Sequence, residues 1–577
     1  MRTNLSTRLW LAIFGSALTI AACSFVTDFP DVETLGTGAS GADAPGGGNT
    51  GGSGATAGDG GGGNTGGDST GGGGAVPCVS ADCQNCISVA GSCPAAEEPE
   101  LFTLFGVPAT PGATTVFLND IVVQSAGARF IGTFRDSGGI GMIANASSLH
   151  SLNQQAGFIL DENGSAIAGA AACNDDGTNG GDETIFAGAT VSDDQLVIAG
   201  LFEGGRMVLF DNTLDCAATG NGMIDGPGGN DVANFVPFLL WLDKDDLVSR
   251  SLEPTAEAGP ENGYLADVAA LGGGSVGQVA AIGIAHRDPF NAGADFENEF
   301  RYYVVSSSGP TPTALVPLPK TSCKDFNQLD GLRASVAVDS ADQVWFAGTG
   351  CPFGPTGPDQ SFLGRFSNGV DLSGMLTMSL GSSKDPIAIT EVAVSDDMVV
   401  VAGTYAGSPI AALDGGGDIP TGDDADGFVM AFDRAAWGNQ ADPIWFQRIA
   451  SDGGPAIIDA LVIDGGRVFV SGSVADGGGI GSAQGCFGSK PLGKGRAFYA
   501  QLSELSGTLN WLRMDGFAVG GSLPPTNFFA RGSALLPQKG GLLTATRSHG
   551  EVFLTCGPTS TDDQSRPEVH VRFFDFP

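Results

Sequence analysis

Along most of the chain, apolar and polar residues alternate with a period of two, and the alternating runs come in pairs. "SVAVDSADQVWFAGT", starting at Ser335, shows the form: a short strand, an acidic turn, a second strand and a closing glycine. The same line starts at Ile121 ("IVVQSAGARFIGTF"), Thr190 ("TVSDDQLVIAGLF"), Asp267 ("DVAALGGGSVGQVAAIGIA"), Glu391 ("EVAVSDDMVVVAGTY") and Ala460 ("ALVIDGGRVFVSGSV"). A degenerate copy, "SALLPQKGGLLTATR", starts at Ser533 and brings the count to seven. Gly132, Gly200, Gly283, Gly348, Gly403 and Gly472 close the first six copies, and Ala545 stands in the seventh. Two alternating strands about a turn of Asp, Ser and Gly are the signature of a β-hairpin.

A second strand–turn–strand module precedes most copies. It is clear at Ser361 ("SFLGRFSNGVDLSGMLTMSLG"), Gly427 ("GFVMAFDRAAWGNQADPIWFQRIA"), Ala497 ("AFYAQLSELSGTLNWLRMDG") and Phe235 ("FVPFLLWLDKDDLVSRSLE"), and looser at "EFRYYVVSSSGPTPTALVPLP" and "GFILDENGSAIAGAAA". Module plus hairpin makes four antiparallel strands, a unit whose apolar faces are buried only by stacking against further copies. Seven such units arranged radially form an all-β, seven-bladed β-propeller, whereas a two-sheet sandwich needs about half as many strands. The head begins mid-unit with "ELFTLFG", and "PEVHVRFFDF" near the end of the chain reads as the strand that it lacks. The expectation is that this C-terminal strand completes the first blade and locks the ring. The pattern "FVxxLD…G…W" followed by "VAVD…G…VxVAGT" resembles the seven-bladed propeller repeat proteins of bacterial envelopes. The resemblance covers residues 99–577, with copies two, three and seven departing from it. It implies a fold and carries no catalytic residue across.

Before residue 99 the pattern is different. Arg2 and Arg8 precede an apolar run that ends in "LTIAAC", and the run is too short for an ordinary spanning helix. Ile20, Ala21, Ala22 and Cys23 resemble the lipobox of bacterial lipoprotein signal peptides, which implies cleavage after residue 22 and acylation of Cys23; an ordinary secretory signal is the alternative. The resemblance implies attachment to a membrane, and Ser24 in the second position favours the outer membrane by the habit of that family. Residues 23–75 are expected to form a lipid-anchored linker, of which residues 36–75 are almost pure Gly, Ser, Thr, Ala, Asn and Asp with no apolar surface to bury. Its forty glycine-rich residues (36–75) have a coil reach of roughly 35 Å. Residues 76–98 make a small Cys-rich segment, and the propeller occupies residues 99–577.

Charge and cysteine narrow the function. With 64 acidic against 26 basic residues, the chain carries a formal charge of −38, which excludes a nucleic-acid partner. Apart from Cys23 there are ten cysteines, an even number that suits an oxidising compartment. Cys78, Cys83, Cys86 and Cys93 suggest a double-disulfide knot, with zinc as the other reading of "CVSADCQNC". Proximity along the chain pairs Cys173 with Cys216, Cys323 with Cys351 and Cys486 with Cys556.

Two acidic loops offer oxygen ligands of the kind that Ca²⁺ takes: Asp175, Asp176 and Asp182 in one, and Asp418, Asp423, Asp424 and Asp426 in the other. Neither follows the EF-hand order, and solvated loops are the plainer reading. No other cofactor is indicated. The four His show no ligand spacing, and "GGSVG" at residues 273–277 falls between two strands, where no nucleophile elbow is built. The expectation is a non-enzymatic envelope propeller that binds a protein or glycan partner. A polysaccharide hydrolase or lyase using carboxylates at the channel, and a passive surface spacer, are the alternatives.

Overall fold

The computed structural model describes the strands and many of the tighter turns between residues 100 and 575. The signal segment, the linker, the Cys78–Cys93 cluster, and Cys323, Cys351, Cys486 and Cys556 lie outside the described residues.

Seven antiparallel sheets form the blades of a propeller, and each opens with one of the seven hairpins. Blade 1 is Thr115–Gln124, Gly127–Arg135, Gln155–Leu160 and Ala166–Cys173; blade 2 is Glu183–Ser192, Gln195–Glu203, Phe235–Asp243 and Val248–Leu252. Blade 3 is Gly263–Ala270, Gln278–Arg287, Asp295–Ser306 and Ala314–Pro317; blade 4 is Arg333–Val338, Val344–Gly350, Gln360–Ser367 and Asp371–Met378. Blade 5 is Ile387–Val394, Met398–Gly407, Gly422–Asp433 and Trp445–Ala450; blade 6 is Ile457–Asp464, Arg467–Val474, Arg496–Ser503 and Leu509–Asp515. Blade 7 joins Phe529–Gln538, Gly541–His549 and Pro567–Asp575 to the N-terminal strand Glu100–Gly106. The first strands of successive blades lie against one another right round the ring, blade 7 meeting blade 1.

Each hairpin pairs with the module that follows it, not the one before. The chain therefore runs from the inside of a blade to its outside, then crosses to the next. Sequence order alone leaves both groupings open, because every hairpin but the first and the last has a module on either side. The two chain ends do pair, Thr103 opposite His570 and Leu104 opposite Val569. They complete the seventh sheet, however, rather than the first.

The core lies between blades. Trp345 and Leu363 of blade 4 pack with Val392, Tyr405 and Phe428 of blade 5. Blade 6 meets blade 7 through Tyr499, Trp511, Leu542 and Phe574. Middle strands are covered on both faces, so they read as continuous apolar runs: Phe238 to Leu242 are all buried. Trp241, Trp345, Trp437, Trp445 and Trp511 are buried as well, and they serve as packing.

The closing glycines have a steric cause. In most blades the first strand carries a β-bulge opposite this position, at Asn119, Thr390 and Asp459 for example. A Cβ on Gly132, Gly403 or Gly472 would sit 2.1, 1.9 or 1.9 Å from the carbonyl oxygen of Phe117, Ala388 or Ile457. Gly403→Ala is therefore expected to cost about 2–3 kcal/mol through forced backbone movement, read from the urea midpoint at constant m-value.

The outer edges of several blades are covered by strands borrowed from the next blade. Ile140–Met142, from the second-to-third-strand connection of blade 1, pairs with Glu100–Gly106 at the outside of blade 7. Arg206–Phe210, from the same connection of blade 2, pairs with Ala166–Cys173 of blade 1, and Met223–Asp225 adds a further strand. Gly479–Ile480 of blade 6 pairs with Trp445–Ala450 of blade 5. Val552–Phe553 of blade 7 pairs with Phe517–Ala518, just beyond the last strand of blade 6.

The expected Cys173–Cys216 disulfide is present and ties the blade 2 excursion to the outer strand of blade 1. It spans 43 residues, and loop-closure entropy for that span is worth about 4 kcal/mol. Replacing both cysteines with Ser is expected to remove about 2–4 kcal/mol, measured by denaturant unfolding without reductant.

Candidate functional site

A four-stranded blade sends its first-to-second and third-to-fourth turns to one end of the ring. Its second-to-third connection and its crossing to the next blade lie at the other end. The two ends differ sharply here. Turn-side connections are short: 125–126, 193–194, 339–343, 395–397 and 465–466 are typical, and the longest is 434–444. Opposite them lie 136–154, 204–234, 318–332, 408–421, 475–495 and 550–566, all longer than any turn-side connection, beside shorter ones such as 288–294 and 451–456.

Several turns on this face hold neighbouring blades together. In the turn that begins at Asp339, its Oδ1 accepts the amides of Ala341 and Gln343, both at 2.9 Å. Its Oδ2 accepts Arg434 Nη1 from blade 5 at 2.7 Å and Trp345 Nε1 at 3.4 Å. Asp342, at φ 57°, takes the left-handed turn position and accepts the Gly272 amide of blade 3 at 2.7 Å. Ser340 donates to Asp396 of blade 5, and Ser395 donates to Glu504 of blade 6. Thr190 of blade 2 donates to the Val123 carbonyl of blade 1. The first turns of blades 4 and 5 are thus fasteners between neighbouring blades, whereas Asp161, Asp433 and Asp464 bond within their own turns.

A second belt lies at the centre. Asp120, Asp267 and Glu391 occupy one register of the first strands and are wholly buried, with Ser335 in the same register of blade 4. Asp120 Oδ2 accepts the Gly188 amide of blade 2 at 2.8 Å. Asp267 accepts Val268 N, Val336 N and Ser335 Oγ at 2.8, 2.8 and 3.0 Å, and Ser335 Oγ in turn accepts Val392 N of blade 5 at 3.2 Å. Burial raises the Asp120 pKa well above the ordinary carboxylate value; Asp267 raises it further, while the Gly188 and Ile121 amides hold it down. The belt continues through Thr390 Oγ1, which donates to the Ile458 carbonyl of blade 6 at 3.2 Å. Tyr499 Oη donates to the Ala545 carbonyl of blade 7 at 2.7 Å, and burial pushes its phenol up to about 12. Carboxylates do gather on the innermost strands, then, and two of them, Asp120 and Asp267, accept amides of the next blade.

The closing seam holds the one described His with a resolved environment. His570 Nδ1 stands 2.9 Å from Glu100 Oε1 and 3.1 Å from Thr103 Oγ1, and its Nε2 is 3.5 Å from Glu568 Oε2. Burial pushes the Glu100 carboxyl up. Bonds from His570 and Thr103, with the charges of His570 and Arg572, more than offset this and leave it below its ordinary value. A depressed carboxyl contributes stability above its unfolded pKa and loses it as pH falls through its folded pKa. Glu100→Gln is therefore expected to flatten the acid limb of the stability profile below about pH 4.5, as followed by urea midpoints across pH.

Of the residues considered for calcium, Asp175, Asp176, Asp182 and Asp418 lie outside the described residues. Asp423 and Asp424 fall in the strand Gly422–Asp433, and Asp426 is fully buried there. Asp426 Oδ2 is held by Arg448, with Nη2 at 2.6 Å and Nε at 2.7 Å. Among the described residues no group of three His, Cys, Asp or Glu is placed to hold a metal. Residues 273–277 join two paired strands of one hairpin, the context in which "GGSVG" builds no nucleophile elbow. Sequence reasoning missed the inner belt. The signal was an acid or Ser recurring at the head of the repeated line, at Asp120, Asp267, Ser335 and Glu391.

No protein-family model matches the chain, and no curated protein does either. Among solved structures it is similar to BamB from Moraxella catarrhalis, at 12% identity and TM-score 0.33, over 81% of this chain and 99% of that one. It is also similar to Chaetomium thermophilum Sqt1, solved bound to the N-terminus of ribosomal protein L10, at 12% identity and TM-score 0.34, over 83% and 98% of the two chains. Trypanosoma rangeli sialidase, solved with sialic acid, follows at 10% identity and TM-score 0.32, over 70% and 56%. None of the three carries an inference about what this chain does.

Proposed function

We propose that the protein is a lipid-anchored propeller of the bacterial envelope, held at the outer membrane through Cys23. Its connection face binds a protein or glycan partner without catalysing a reaction. The observation that carries this reading is the asymmetry between the two ends. Asp339, Ser340, Asp342 and Ser395 on the turn side bond across to neighbouring blades, while the longest connections are on the opposite side. Long loops on a rigid scaffold are the usual material of binding sites. The alternative of a hydrolase or lyase loses support from the inner belt, because Asp120, Asp267 and Glu391 are sealed from solvent. A general acid or nucleophile has to reach its substrate. The test is an in-cell cross-linking pull-down that compares the whole chain with one lacking residues 76–577. Enrichment of one envelope protein or glycan only with the propeller present is the expected result. Equal recovery with both chains would contradict it.

A further inference from the structure

The borrowed strands follow a rule of length. The connections that send a strand to a neighbouring blade are 136–154, 204–234, 475–495 and 550–566. Those of blades 3, 4 and 5, at 288–294, 351–359 and 408–421, are the shortest of the seven. By the same geometry these three would cover blades 2, 3 and 4. Among the described residues, the outer strands of blades 2, 3, 4 and 6 have no strand beyond them in their sheets, the short strand from blade 7 pairing with Phe517–Ala518 instead of Leu509–Asp515.

These four edges, bare among the described residues, are not equal: Leu509–Asp515 carries Arg513 and ends in an acid. Val248–Leu252 is short and carries Arg250, and Ala314–Pro317 is shorter still and ends in proline. Charge, proline and brevity are the devices that blunt a sheet edge. Asp371–Met378, "DLSGMLTM", has eight residues, no proline, no Lys or Arg and a single acid at its start. It pairs with Gln360–Ser367 along its length, so a row of backbone groups points away from the blade.

We propose that the outer edge of blade 4 is a docking site for an extended segment of another protein, added antiparallel as a fifth strand. The chain itself shows what such an edge accepts: the outer strands of blades 5, 7 and 1 each hold an extended antiparallel segment. Charge selects the source. A second copy would bring another −38 to the contact, so the occupant is a neutral or basic segment of a different protein. Backbone bonds supply affinity, and alternate side chains supply selectivity. This site depends on the sheet edge alone, so it stands or falls separately from the connection face.

The test pans the full chain against displayed random short peptides. Peptides with period-two apolar alternation and neutral or positive charge are expected to be enriched. Met375→Pro and Leu376→Pro remove adjacent amides, which alternate between facing the blade and facing out. The outward one is expected to preserve the melting profile and weaken peptide binding by at least about tenfold. Ser249→Pro on blade 2 is expected to leave binding unchanged. If both blade 4 prolines unfold the chain, amide exchange over residues 371–378 with bound peptide decides, protection supporting the site and its absence overturning it. Unchanged binding to the folded proline variant would overturn the proposal. So would a failure to enrich any peptide, or dimers of the chain itself that the same proline abolishes.

Discussion

Asp267→Ala is expected to lose about 3–5 kcal/mol of stability. The side chain accepts hydrogen bonds from Val268, Val336 and Ser335, at 2.8, 2.8 and 3.0 Å. All lie where water does not reach, and each buried donor left without an acceptor costs about 1–3 kcal/mol. Relaxation and water penetration recover part of that total. Two of the three donors belong to blade 4, so the loss should loosen the contact between blades 3 and 4 specifically. A double-mutant cycle with Ser335→Ala is expected to show coupling of about 1 kcal/mol or more. Additive effects would mean that the belt does not act as one unit. Urea unfolding at pH 7 supplies each corner of the cycle.

Removing residues 100–106 is expected to have a larger effect. Phe102 and Leu104 are fully buried between blades 7 and 1, and burial of two such side chains is worth about 5 kcal/mol or more. The strand also covers the outer edge of Pro567–Asp575 and supplies Glu100 and Thr103 to His570. The summed loss approaches the whole stability of a typical domain, about 5–15 kcal/mol. The truncated chain should therefore fail to melt cooperatively. A permuted chain, with Asp575 linked to Glu100 and new ends opened in the exposed turn between Gly465 and Gly466, should fold. It keeps every strand of blade 7 and moves the break to an exposed turn. Cooperative melting of the truncated chain would show that the seventh blade needs only three strands.

The hairpins and their number were legible because each has a polar turn and most close on a glycine that stands opposite a bulge. Gly403 recurs for the sake of the Ala388 carbonyl, a contact within one hairpin. The partnership of "ELFTLFG" with "PEVHVRFFDF" was legible for a similar reason, since each lacks a partner nearby in the chain. The blade that they complete was not, because alternation is identical whichever hairpin a module joins. The inner belt was hidden by ordinary expectation. An acid at the start of a strand reads as a solvated end, and only the ring shows that Asp120 and Asp267 face the amides of the next blade. The borrowed strands were invisible because two or three residues of extended chain leave no periodicity to detect. Their connections nevertheless announced themselves by length.

The most direct measurement places a photo-reactive residue at one position at a time in the full chain and illuminates living cells. Thr356 and Gly416 lie in connections of blades 4 and 5, and Ala435 and the exposed Leu505 lie on the turn face. The account predicts that adducts to an envelope partner form from Thr356 or Gly416 and not from Ala435 or Leu505. Adducts confined to the turn face, or none from any position, would contradict it.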